Sequence, residues 1–86
     1  MSKRLLLKTL LKAKDKGVSY FSVAIQVKDN PKPEVIIFGN ENFENKLEYY
    51  DKTYDENLEH KHAENIKIVG YSTSNDFETI EKKLLK

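Results

Sequence analysis

"VSYFSVAIQVKDNPKPEVIIFG", residues 18–39, decides the fold. From Tyr20 to Val27 the residues alternate. Phe21, Val23, Ile25 and Val27 fall on one side and Tyr20, Ser22, Ala24 and Gln26 on the other, the period of a half-buried strand. "KDNPKP" ends that run, because its two prolines cannot donate to a ladder and Asp29-Asn30 suits tight backbone geometry. "EVIIFG" is extended again, so residues 19–39 read as a β-hairpin. The unbroken apolar run 35–38 predicts that this second strand is covered on both faces.

Upstream of the hairpin, Ser2 is positioned to cap a helix over residues 3–16. Leu6, Leu10 and Ala13 share one face with Leu7 and Leu11 beside them, and Gly17 is the expected stop. Arg4, Lys8, Lys12 and Lys16 recur every fourth residue as a basic stripe.

Downstream, Gly39-Asn40 ends the strand. A second helix follows from about Glu41 to Tyr54 or Leu58, with Asn40 or Asn42 as its cap. Phe43, Leu47, Tyr50 and Tyr54 occupy one face of it. Glu44, Glu48, Asp51 and Asp55 repeat that spacing one residue later, so an acidic stripe runs beside the apolar one, about 100° around the axis. His60 and His62 fall in a polar loop. "IKIVGYS", residues 66–72, reads as a third strand, with Ile66 and Ile68 on one face and Val69 and Tyr71 on the other. Asn75, with Glu78 three residues on, forms a capping box for a last helix packed down by Phe77, Ile80 and Leu84. The order is α-β-β-α-β-α: an α+β fold in which helices pack on a small three-stranded antiparallel sheet, as a single domain over residues 1–86.

Composition narrows the functions. The 86 residues contain no cysteine, which removes disulfides, thiol nucleophiles and thiolate metal sites. The longest apolar runs, residues 5–7 and 35–38, are far short of the roughly 20 residues that span a bilayer. "MSKRLLLKTLLKAK" begins like a signal sequence, but Lys8 and Lys12 interrupt it and no small-residue cleavage site follows. A mature cytoplasmic protein is expected. Net charge is +1 but uneven: residues 1–33 hold eight Lys/Arg against two Asp, residues 34–86 seven Lys against twelve Asp/Glu.

The run "PEVIIFGNENFENKLEYYDKTYDENLEHK", closing with "IKIVGY", resembles small uncharacterised proteins encoded by phages and prophages of low-GC Gram-positive bacteria. The likeness covers roughly residues 20–71 and carries no activity or site. It implies only a context, that of a mobile-element accessory protein.

Four chemistries bear on these residues. An enzyme is not expected: a Ser-His-Asp site would have to use His60 or His62, the three glycines form no phosphate-cradling loop, and no cofactor motif is present. A metal site could draw on His60, His62, Glu59 and Glu64, but no second His/Cys pair completes four ligands, so none is expected. Nucleic-acid binding, the runner-up, would use Arg4, Lys8, Lys12 and Lys16 on phosphates, against a pI of about 7.9 and an acidic helix. The first reading is a protein-binding face on Glu44, Glu48, Tyr49, Asp51 and Asp55, aimed at a host or phage protein. Its carboxylates repeat at roughly 5–6 Å, near the spacing of phosphates on one DNA strand, and an exposed tyrosine is typical of interfaces. A basic first helix meeting a neighbour's acidic helix would also make an isologous homodimer, and the same two helices could equally face each other within one chain.

Overall fold

The expected stop at Gly17 is where the first helix ends. The computed structural model describes residues 2–76, 78 and 79. Helix α1 (Lys3–Asp15) starts at Ser2, whose hydroxyl accepts from the Leu5 N–H at 3.3 Å. At its other end the Val18 N–H donates to the Ala13 carbonyl at 3.0 Å and the Gly17 N–H to that of Lys14 at 3.2 Å. Those two bonds are a Schellman turn, and Gly17 supplies the left-handed residue it needs, at φ 71°.

The hairpin follows as β1 (Tyr20–Val27) and β2 (Glu34–Gly39), paired Phe21 to Phe38 and Val23 to Ile36. β3 (Ile66–Ser74) joins the other side of β1, giving a three-stranded antiparallel sheet in the order β2-β1-β3. This is the α+β architecture read from the periodicities.

Centrality changes two expectations. β1, flanked on both sides, is not half-buried: Phe21, Ser22, Val23 and Ala24 are all buried. β2 is an edge strand rather than a doubly covered one, with Ile36 exposed and only Phe38 buried. Its apolar run reflects β propensity more than burial.

A 3₁₀ turn (Asn40–Asn42) leads into α2 (Phe43–Thr53). Neither asparagine caps the helix through its side chain. Asn40 instead ties the end of β2 back to the start of β1, its N–H donating to the Ser19 carbonyl at 3.0 Å and its Nδ2 to that of Val18 at 2.9 Å. α2 is also shorter than expected, because Tyr54 is already extended.

α1 and α2 pack side by side on one sheet face. Leu6, Leu10, Ala13, Phe43, Tyr50 and Tyr54 join Phe21, Val23, Phe38, Leu58 and Ile68 in one core. A bulge sets the register of β3: Ala24 pairs with Gly70 but Ile25 with Ile68, leaving Val69 as the extra residue. Ile68 and Tyr71, three apart, therefore both reach the core instead of facing opposite ways, and Val69 is exposed.

Among the described residues, the bond expected from Asn75 to the Glu78 N–H is made by Asp76 instead. The Asn75 side chain accepts from the Ser19 N–H at 3.0 Å, while Asp76 also accepts from the Thr79 hydroxyl. The expected packing of Phe77, Ile80 and Leu84 lies outside the described residues.

Candidate functional site

Three of the four residues expected to form an acidic stripe lie on α2, but Asp55 does not. It has passed the helix end, and its Oδ1 accepts from the Asn57 and Glu59 N–H groups at 2.9 and 3.0 Å, closing a turn. Its carboxylate organises the chain rather than standing free.

Tyr49 is exposed as expected, at 45%, but it is not part of the acidic face. At about 100° per residue it lies roughly 100° from Glu48 and 160° from Asp51. It stacks edge-on against Tyr50 and Tyr54, with the Lys46 ammonium 5.3 Å from its ring centre. The same ammonium is 5.4 Å from the Phe38 ring, so Tyr49 belongs to the β2 side of α2.

Glu48 and Asp51 instead turn toward α1. Lys3, at the start of α1, holds the end of α2: its Nζ donates to the Asp51 carbonyl at 3.2 Å and lies 3.6 Å from the Asp51 and 3.7 Å from the Glu56 carboxylate. The start of one helix beside the end of the other means that the two run in opposite directions. Between them is an open groove of about 630 Å³, lined by Arg4, Leu7, Lys8 and Leu11 on one wall and Leu47, Glu48 and Asp51 on the other. Leu7 and Leu47 are half-buried and Leu11 is 47% exposed, so the floor is apolar and open to solvent.

The basic stripe is divided by the same geometry. Arg4 and Lys8 line the groove, whereas Lys12 and Lys16, exposed, are turned progressively away because a four-residue step overshoots a turn by about 40°. Carboxylates thus stand across from the first two cations. Glu48 also pairs with Lys52 one turn on, which lowers the Glu48 pKa and raises that of Lys52.

A second cleft, about 650 Å³, lies at the loop after α2 and is lined by residues that include Gln26, Lys28, Glu59, His60, Glu64 and Lys67. The loop is more ordered than a polar run suggests. The Asp55 N–H donates to the Glu59 carbonyl, the His60 N–H to that of Ile66, and the Ile68 N–H to that of Leu58, each at 2.9 Å. Residues 58–60 thereby cover the start of β3. The His60 Nδ1 accepts from the His62 and Ala63 N–H groups, both at 3.0 Å. His60 is a staple for this loop, with its ring edge-on to Tyr54. Among the described residues no group of three or more His, Asp or Glu is arranged to hold a metal ion, and no helix is long and apolar enough to cross a membrane.

The sequence reading missed the groove as a unit. Leu7 and Leu11 flank the α1 core face in the sequence, whereas Leu47, expected in the core with Phe43, Tyr50 and Tyr54, is only half-buried and lies on the groove. No family model, curated protein or solved structure matches the chain.

Proposed function

We propose that this chain is a small, non-enzymatic protein-binding module of a phage or prophage that works in the cytoplasm through the α1–α2 groove. The observation that carries this reading is the groove's construction: an apolar floor of Leu7, Leu11 and Leu47 between a basic and an acidic wall. Apolar surface supplies affinity, and flanking charges of both signs select a partner and its orientation. Compared with the face expected from sequence, this surface keeps Glu48 and Asp51, adds Arg4 and Lys8, and sets Glu44, Tyr49 and Asp55 aside. The occupation of His60 Nδ1 by two backbone donors supports its reading as a structural residue rather than a base. The resemblance to phage and prophage proteins supports the context.

Nucleic-acid binding through Arg4, Lys8, Lys12 and Lys16 is the weaker reading, because Glu48 and Asp51 line the groove opposite Arg4 and Lys8 and would repel a phosphate backbone.

The test is capture from a nuclease-treated lysate of low-GC Gram-positive cells, using wild type, Leu11→Glu in the groove and Leu5→Glu outside it. Leu5 is also exposed, at 52%, and is the control. A partner held by wild type and Leu5→Glu but lost with Leu11→Glu is expected. Capture unaffected by Leu11→Glu, or a wild type that neither captures a protein nor associates with itself, would overturn the proposal.

A further inference from the structure

The groove has a property that a surface of one charge lacks: it is complementary to itself. α1 provides the basic wall and α2 the acidic wall, on either side of the same leucine floor. A second copy can be laid over it about a two-fold axis in one of two principal directions. An axis across the groove would set Arg4 and Lys8 against their own images. An axis along the groove exchanges the walls and sets each basic wall on the partner's acidic one.

The second operation also preserves level along the helices. Lys3 is anchored on Asp51. Both helices rise about 1.5 Å per residue, so in opposite directions Arg4 falls within about one residue of the level of Asp51 and Lys8 within about two of that of Glu48, offsets that these long side chains span. Rotation about an axis along the groove leaves those levels unchanged. It brings Arg4 to the partner's Asp51 and Lys8 to the partner's Glu48. Each α1 then lies opposite in direction to its own α2 and to the partner's α2. That is the all-antiparallel arrangement of a four-helix layer, with helix dipoles opposed throughout. The three leucines of each floor meet at its centre, and the exposed part of Leu11 is covered.

We infer that the groove is an isologous self-association surface: a second copy of this chain docks on it about a two-fold axis parallel to α1 and α2, pairing Arg4 with the partner's Asp51 and Lys8 with the partner's Glu48. This rests on the reading of the groove as a protein-binding surface and names its occupant. Helices of 13 and 11 residues give a short contact. It falls at the small end of specific interfaces, so dissociation is expected on the order of 10 µM or weaker.

The test uses sedimentation equilibrium of the full chain and two charge reversals, Lys8→Glu and Glu48→Lys. Both residues are exposed, and unchanged melting checks that each variant folds. The expected result is a concentration-dependent dimer, weakened at least tenfold by either reversal and recovered when the two variants are mixed in equal amounts. In that mixture both cross-pairs are again opposite in charge. Because the chain has no cysteine, Lys8→Cys and Glu48→Cys chains provide a second readout: when mixed and oxidised they should give the mixed disulfide in preference to either symmetric one. A wild-type monomer up to about 1 mM, a dimer insensitive to both reversals, or symmetric disulfides in excess would each overturn the inference. A monomer that still captures a foreign protein through Leu11 overturns self-association alone and leaves the protein-binding reading standing.

Discussion

Lys3 and Asp51 fasten the two helices at one end, with the Lys3 ammonium on the Asp51 carbonyl oxygen at 3.2 Å and 3.6 Å from its carboxylate. The Lys3 side chain is only 12% exposed, and its backbone N–H also donates to the Glu56 carbonyl at 3.2 Å. One residue therefore neutralises the negative end of α2 and anchors the turn beyond it. A charged hydrogen bond of this kind contributes more than an exposed pair, although Asp51 and Glu56 are themselves largely solvated. Lys3→Ala is expected to lower stability by about 1 to 2 kcal/mol, with the loss of stem packing included. Lys52→Ala, which breaks only the exposed pair with Glu48, is expected to leave the urea midpoint in place. Equal shifts for the two variants would refute this assignment.

Tyr50 makes stability depend on alkaline pH. Burial raises its phenol pKa well above the usual value, and the neighbouring Tyr54 and Tyr49 add to the shift. Tyr54 is raised for the same first reason. A raised folded pKa means that this contribution is intact below the ordinary tyrosine value of about 10. It is lost as pH climbs from there toward the folded value, because only the unfolded chain releases the proton readily. The unfolding free energy from urea denaturation should be flat from about pH 8 to 9.5 and then fall by up to about 1.4 kcal/mol per pH unit per tyrosine. Tyr50→Phe should make that fall shallower. A slope unchanged in Tyr50→Phe would place the alkaline transition elsewhere.

His60 holds its loop through one ring nitrogen. With Nδ1 accepting from the N–H groups of His62 and Ala63, truncation leaves both donors to water and frees the turn. His60→Ala should accelerate amide exchange at His62 and Ala63 by at least about tenfold, since local opening governs exchange there. His60→Asn, which carries a carbonyl oxygen near the position of Nδ1, should retain most of the protection. Exchange in His60→Ala that matches wild type would show that the backbone pairing alone orders the loop.

Much of this architecture could be read from local chemistry. Gly17 closes α1 because its left-handed conformation is intrinsic to the residue, and residues 20–27 form a strand as their alternating sequence indicates, although Phe21 to Ala24 are all buried in it. Tyr49's separation from the acidic face follows from its angular position alone. What could not be read was set by distant partners. The bulge at Val69 reverses the facing of Tyr71, yet nothing in "IKIVGYS" distinguishes a bulged strand from a regular one. The run 35–38 looks doubly covered until the sheet proves to have β2 at its edge. Both stripes of the site were visible, but their placement as opposite walls of one groove depends on α1 and α2 packing as neighbours.

Leu58 is the sharpest case, because its backbone and side chain ask for different residues. It is fully buried in the core, yet its φ of 63° lies in the left-handed region that leucine disfavours by roughly 1 to 2 kcal/mol. The conformation is held from both sides: the Leu58 N–H donates to the Asp55 carbonyl and its own carbonyl accepts from Ile68, each at 2.9 Å. At an ordinary helical site such as Leu10, also fully buried, glycine should be worse than alanine by about 1 kcal/mol. At Leu58 the order should reverse. Leu58→Ala loses the side chain, about 2 to 5 kcal/mol, and keeps the strain. Leu58→Gly loses the same packing but relieves the backbone, and should be the more stable of the two by about 1 kcal/mol. Urea denaturation of the four variants, alanine and glycine at residues 10 and 58, makes the comparison within one protein. The same preference for alanine at both sites would mean that residue 58 leaves the left-handed region when its side chain is removed, and that packing of the leucine holds the turn.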